Sequence, residues 1–78
     1  MIGMSPHLRM VKAKEMKRIL ERLGFVQIRQ QGSHLFFKHP DGRKTSLALH
    51  GGEDIGRGLL HEMLHQIHMT PEEFGEYL

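Results

Sequence analysis

Two glycine-containing turn signals, Gln31-Gly32 and Pro40-Asp41-Gly42, divide the middle of the chain into three stretches with the composition of β-strands. Gln31-Gly32 suits a two-residue hairpin loop in which the glycine adopts a positive φ. Pro40-Asp41-Gly42 suits a three-residue loop, a type I turn followed by a left-handed glycine. The sequence therefore predicts a three-stranded antiparallel sheet over residues 25–30, 33–39 and 43–50.

The loop lengths also predict the strand register. A two-residue loop at 31–32 pairs Gln30 with Ser33 and hence Ile28 with Leu35. Alternate residues of a strand point to opposite faces, so this register places the apolar residues on one side of the sheet. The predicted core face consists of Val26, Ile28, Leu35, Phe37, Thr45, Leu47 and Leu49.

The opposite sheet face is predicted to be polar and basic. The second loop pairs Phe37 with Thr45 and Leu35 with Leu47, which directs their strand neighbours outward. The outward rows are Arg29, His34 and Ala48, then Gln27, Phe36 and Ser46, then Lys38 and Lys44.

Helical periodicity surrounds the predicted sheet. A first helix begins at Lys12 and is closed by Gly24, with Ala13, Met16, Ile19, Leu20 and Leu23 on its apolar stripe and Lys14, Lys17 and Arg18 opposite. A glycine-rich loop, in which Asp54 is a possible N-cap, leads to a second helix over residues 57–68. Its apolar stripe is Leu59, Leu60, Met63, Leu64 and Ile67.

Thr70-Pro71-Glu72-Glu73 has the pattern of a capping box and predicts a short third helix carrying Phe74 and Tyr77. The fold class expected is therefore α+β, in the order αβββα with an extra C-terminal helix. Two helices would cover one sheet face.

Length and composition bound the classes of protein. A chain of 78 residues supports one small core, so we expect a single domain over residues 12–78 after a lead-in over residues 1–11. The sequence contains no cysteine, which excludes disulfides and thiolate metal clusters. It shows no apolar stretch typical of a signal peptide or membrane span, and a cytoplasmic location is expected.

The net charge of +2 conceals an asymmetry between the two halves of the chain. Residues 1–44 hold ten lysines and arginines against three acidic residues, a net +7, whereas residues 45–78 carry a net −5. A polyanion would therefore bind the first half. Solvated surface charge without a partner is the plainer alternative.

His34 is the main candidate for a catalytic residue. A surface imidazole exchanges protons near neutral pH, and Arg29, Lys38 and Lys44 on the same predicted face could hold a phosphate. Phe36 and Gln27 offer stacking and polar contacts to an unpaired base, and Lys14, Lys17 and Arg18 extend the basic surface. An ordinary exposed histidine on a basic sheet is equally compatible with the pattern.

The segment "GFVQIRQQGSHLFFKHPDGRKTSLALH", with the helices that flank it, resembles the HicA family of toxin ribonucleases from bacterial toxin–antitoxin systems. The resemblance covers residues 11–78 and rests on Gly32-Ser33-His34 and His39-Pro40-Asp41-Gly42 above all. It implies a double-stranded-RNA-binding-domain-like fold, metal-independent cleavage of mRNA with no cofactor, and silencing by a HicB-like antitoxin. It also implies that His34 is catalytic.

The chain departs from the family pattern at two positions. Members often carry lysine before Gly-Ser-His and a second histidine after it, where this sequence has Gln31 and Leu35. Gln31 removes one phosphate contact, whereas Leu35 is expected to point inward. The proton donor to the leaving oxygen stays open between His50, the cations Arg29 and Lys44, and His34 itself.

Three other functions are compatible with parts of the sequence. A non-catalytic RNA-binding module would share the fold and the basic face. A pure protein-interaction subunit would be indicated if RNA affinity showed no salt dependence, because phosphate contacts release counterions. His61-Glu62-x-x-His65 matches a zinc-hydrolase pattern. The short chain, the absence of a third ligand at a known spacing and the outward helix face argue against a zinc site, so no metal is expected.

Overall fold

The structure, a computed structural model, describes residues 10–49 and 54–78. Its elements are β1 (Val11–Lys12), α1 (Ala13–Arg22), β2 (Val26–Gln31), β3 (His34–Lys38), β4 (Lys44–Ala48), β5 (Asp54–Ile55), α2 (Arg57–Gln66) and α3 (Pro71–Gly75). Strands β2, β3 and β4 form the antiparallel sheet in that order. The predicted α+β class and αβββα order are confirmed.

The core lies on the sheet face that α1 and α2 cover. Both helices contact β4, and their buried side chains meet Leu35, Phe37 and Leu47 of the sheet. The opposite face, which we call the open face, is formed by alternate residues of the three strands. Its residues are Val26, Arg29, Gln31, His34, Phe36, Lys38, Lys44, Ser46 and Ala48.

The register between β3 and β4 is as predicted, with Leu35 opposite Leu47 and Phe37 opposite Thr45. Gly42 has a φ of +101°, and its N–H donates to the carbonyl of His39 at 2.9 Å. This hydrogen bond closes the three-residue loop that the sequence indicated. Leu35 is 2% exposed, so its inward orientation is also confirmed.

The register predicted between β2 and β3 is wrong by two residues next to the turn, because Gln30 pairs with Leu35 and not with Ser33. Gln31 pairs with His34, and the loop residues are Gly32 and Ser33. Gly32, with a φ of +58°, is the first loop residue, as in type II′ turns, whereas the prediction made it the second. The position of the glycine within the turn therefore moves every pairing along β2.

A bulge at Ile28 changes the register of β2 a second time. Val26 consequently lies opposite Lys38 on the open face, and Val26 and Ile28 are each 59% exposed. Their assignment to the core face was wrong. Phe25, just before the strand, is 3% exposed and supplies the apolar side chain at this end of the sheet.

Strands β1 and β5 form a two-stranded ribbon that the sequence did not predict. Val11 pairs with Ile55, and both are buried in the core. Asp54 pairs with Lys12 in this ribbon, and its carboxylate lies 3.2 Å from the lysine Nζ. Asp54 is thus not the N-cap of α2; Gly56 is.

The helices bury most of the apolar residues predicted for them, but both long helices are shorter than the predicted ranges. α2 ends at Gln66, and Leu59 is 53% exposed rather than part of the core. Thr70 caps α3 through the predicted capping box, and Phe74 is fully buried. None of the described helices is long and apolar enough to cross a membrane.

Candidate functional site

His34 is exposed on the open face at the first position of β3. Its neighbours across the sheet are Gln31 on β2 and Ala48 on β4. The adjacent Ser33 carbonyl accepts a hydrogen bond from Leu49 N–H at 2.7 Å, which ties the hairpin turn to the end of β4. The backbone under His34 is therefore held on both sides while the imidazole faces solvent.

No other described residue hydrogen-bonds the His34 ring, which is exposed to solvent. Both ring nitrogens can thus reach a bound molecule. An imidazole in this setting can take a proton from a hydroxyl and return it to a leaving group.

Arg29 lies opposite Phe36, not beside His34 as the predicted register had it. Its guanidinium carbon is 4.4 Å from the centroid of the Phe36 ring, a cation–π distance. The pair is one row along β3 from His34. It presents a planar cation and an aromatic ring together, the groups that bind the phosphates and bases of single strands.

Lys38 and Lys44 lie directly opposite each other at the far end of the open face, as predicted. The neighbouring pair is hydrogen-bonded, since His39 N–H donates to the Arg43 carbonyl at 2.9 Å. The lysine pair is therefore of the non-hydrogen-bonded type, in which side chains are closest. Like charges at this spacing destabilise a sheet, and a bound anion would relieve that repulsion.

Gln27 does not lie in the row with Phe36 and Ser46. It pairs with Phe37, whose side chain points to the core face, and the bulge at Ile28 separates it from Arg29. Its side chain is nevertheless exposed at the edge of the sheet. Gln27 is thus separated from the open face to which the prediction assigned it.

The basic side chains of α1 meet the sheet near the turn that carries His34. Lys14, Lys17 and Arg18 line a concavity of about 450 Å³ together with Leu49. Leu49 is bonded to the Ser33 carbonyl, so this concavity adjoins the β2–β3 turn. Lys17 also forms an ion pair with Glu21 at 3.2 Å.

The β3–β4 hairpin is anchored to both long helices by a cluster that the sequence analysis missed. The Nε2 of His39 donates to the Leu23 carbonyl at 3.1 Å, while its Nδ1 accepts from the Asp41 N–H at 3.1 Å. Arg43 donates to the Ile67 carbonyl at 2.7 Å. These bonds join the loop to the C-terminal ends of α1 and α2 and fix the strands that carry the open face.

Asp41 in this cluster has a pKa below its ordinary value. The backbone N–H of Arg43 donates to its carboxylate at 3.0 Å and holds its pKa below the ordinary value, against a smaller effect of desolvation. The Arg43 side chain, at 2.7 Å, acts in the same direction. Asp41 is therefore ionised throughout the neutral range.

The remaining histidines that the sequence analysis considered lie outside the described residues or on α2 and just after it. His50 lies outside the described residues. His61 and His65 are exposed on α2, and His68 follows the helix with a φ of +57°. No group of three or more histidine, aspartate or glutamate side chains with the arrangement of a metal site occurs within residues 10–49 and 54–78.

Comparison with known families decides the relationship that the Gly-Ser-His segment indicated. The family model described as the HicA toxin of bacterial toxin–antitoxin systems matches residues 13–69. The chain belongs to the HicA family. A search of curated proteins gave no match. The matched region runs from the start of α1 past the end of α2, so HicA membership includes the whole sheet and the His34 turn.

Proposed function

We propose that this HicA toxin is an endoribonuclease that cleaves mRNA in the cytoplasm with His34 as general acid and base. The observation that carries the proposal is the exposed His34 imidazole on a firmly held strand, one row from the Arg29–Phe36 pair. The open face combines a proton-transfer group, cations and an aromatic ring. Those are the groups that RNA binding and phosphodiester cleavage need.

The proposed reaction begins when His34 takes the proton from a ribose 2′-hydroxyl. The 2′-oxygen attacks the adjacent phosphorus, the bond to the 5′-oxygen breaks, and a 2′,3′-cyclic phosphate forms. Arg29 and the α1 cations neutralise charge on the phosphate oxygens. The 5′-oxygen leaves with a proton from the His34 imidazolium or from His50. No step requires a metal ion or a cofactor.

A HicB-like antitoxin is the proposed protein partner. HicA proteins are the toxins of toxin–antitoxin systems, and in this chain Arg29 lies one row from His34 while Lys14, Lys17 and Arg18 line a concavity next to its turn. A partner that presents acidic side chains to the open face would both bind tightly and exclude RNA.

A non-catalytic RNA-binding module is the second candidate. It is favoured by Gln31, the immediate neighbour of His34, which supplies neither a charge nor a titratable group at the point where cleavage would occur. Such a module would bind through the same cations and lose little affinity when His34 is replaced.

The test is cleavage of an unstructured transcript in EDTA by wild type, His34→Ala and a His61→Ala/His65→Ala control. We expect wild type and the control to cut, and His34→Ala to bind the transcript without cutting it. Binding without cutting by all three proteins would support the non-catalytic module. Cutting that EDTA abolishes in wild type would refute the metal-independent mechanism.

A further inference from the structure

A second concavity lies at the free edge of β4, where the sheet meets α2. It has a volume of about 330 Å³ and is lined by Phe36, Lys44, Thr45, Ser46 and Gln66. Gln66 and Lys44 also line an adjoining concavity of about 500 Å³ that reaches the hairpin loop. The two concavities thus share Lys44 and Gln66 as lining residues at the edge of β4.

The side-chain amide of Gln66 is oriented by a hydrogen bond within this concavity. Thr45, which is 6% exposed, donates its hydroxyl to Gln66 Oε1 at 2.8 Å. The amide oxygen is therefore engaged with the protein, and the two N–H donors of Nε2 are left for another molecule.

The polar lining of the concavity consists mainly of hydrogen-bond donors. The Lys44 ammonium has donors only, Gln66 presents its N–H groups, and Ser46 adds a hydroxyl that can donate or accept. Such a set suits a base that carries carbonyl oxygens. The exocyclic amine of adenine would instead meet the lysine donor without an acceptor.

Phe36 makes this concavity suitable for a base rather than for a free anion. Arg29 lies over the ring from the β2 side, and the ring also lines the concavity on the β4 side. A base inserted there can contact an aromatic wall while its edge meets Gln66 and Lys44. Phe36 is two residues from His34, about 7 Å along the strand.

We propose that the concavity between β4 and α2 is a base-binding subsite that favours the keto bases uracil and guanine over adenine. The inference rests on the proposed function and adds its specificity: Gln66, oriented by Thr45, reads the base held nearest to His34. Gln66 acts by direct contact, and Thr45 is a positioning residue behind it.

The experiment measures binding of short oligouridylate and oligoadenylate by fluorescence anisotropy, using His34→Ala protein so that cleavage does not interfere. We expect a preference for oligouridylate of about fivefold, the effect of one hydrogen bond gained. Gln66→Glu, which exchanges donors for an acceptor, should abolish or reverse it. Thr45→Val should reduce it, and Thr45→Ser, which keeps the hydroxyl, should restore it.

His65→Glu is the charge control, because it adds the same negative charge to α2 outside the concavity and should weaken binding of both oligonucleotides equally. Equal affinity of the His34→Ala protein for both, or a preference unchanged in Gln66→Glu, would overturn the subsite. A base preference of the His34→Ala protein, combined with a wild-type protein that does not cleave RNA, would refute only the nuclease. Cleavage without base preference would refute only the subsite.

Discussion

The guanidinium of Arg29 lies over the ring of Phe36, its cross-strand partner, with 4.4 Å between the guanidinium carbon and the ring centroid. The contact orders an otherwise long and mobile side chain on the open face. It also separates two roles, since Phe36 provides a surface for a base and Arg29 a charge for a phosphate. Both lie one row from His34.

Replacement of Arg29 should distinguish its charge from its planarity. Arg29→Ala should weaken RNA binding and reduce the slope of log affinity against log salt by about 1, because one phosphate contact is lost. Arg29→Lys keeps the charge, so the salt slope should persist. Loss of the planar guanidinium over the Phe36 ring should make the binding free energy less favourable by about 0.5–1 kcal/mol. Binding titrations at several salt concentrations measure both. An unchanged slope in Arg29→Ala would exclude a phosphate contact.

Gln31→Lys should strengthen RNA binding. Gln31 is the direct cross-strand partner of His34, so a lysine there places a cation beside the imidazole. We expect higher affinity and a salt slope steeper by about 1. Gln30→Lys, at the neighbouring position that pairs with the buried Leu35, is the matched control for added charge. An equal gain from both variants would show that overall charge alone is responsible.

Gly24→Ala should lower the free energy of unfolding by about 1–2 kcal/mol. Gly24 has a φ of +99°, and an added Cβ would lie 3.0 Å from His39 Nε2, which bonds the Leu23 carbonyl. Gly58→Ala is the control: Gly58 is in α2 with open space around it, and alanine should stabilise the helix by up to about 1 kcal/mol. Urea unfolding of both variants checks that the free energy of unfolding falls in Gly24→Ala and rises in Gly58→Ala.

Ile28→Ala and Leu35→Ala should differ strongly in their effect on stability if the observed register is correct. The alternative register, in which Ile28 lies opposite Leu35 in the core, predicts similar losses for both. Ile28 is 59% exposed, so its truncation should cost less than about 1 kcal/mol. Leu35 is 2% exposed, and its truncation should cost about 2–5 kcal/mol. Similar large losses in urea unfolding would contradict the bulge at Ile28.

Asp41 should contribute an acid-dependent part of stability. Its pKa is lower in the folded chain than in the unfolded chain, chiefly through the Arg43 N–H, so the unfolded state binds more protons as pH falls. The contribution is fully present above the unfolded pKa of about 3.9 and is lost as pH falls through the lower folded pKa. In Asp41→Asn the melting temperature should depend less on pH over this range than it does in wild type. A slope equal to that of wild type would contradict the assignment.

The sequence by itself determined the features whose causes are local. Pro40-Asp41-Gly42 fixed the β3–β4 loop because its residues suit one turn geometry, and Thr70 with Glu73 fixed the start of α3. The apolar stripe of α1 likewise predicted its buried face. His34 was correctly placed on the exposed side, since its strand neighbour Leu35 had to face the core.

The tertiary structure decided what depends on contacts between distant segments. Gly32 suits either position of a two-residue turn, so only the packing of Phe25 and the bulge at Ile28 set the register that pairs Arg29 with Phe36. The β1–β5 ribbon joins segments more than forty residues apart in sequence. Gln66 meets Thr45 only because α2 packs on β4. Such pairings arise from burial and hydrogen bonding across the whole fold, which short-range patterns do not encode.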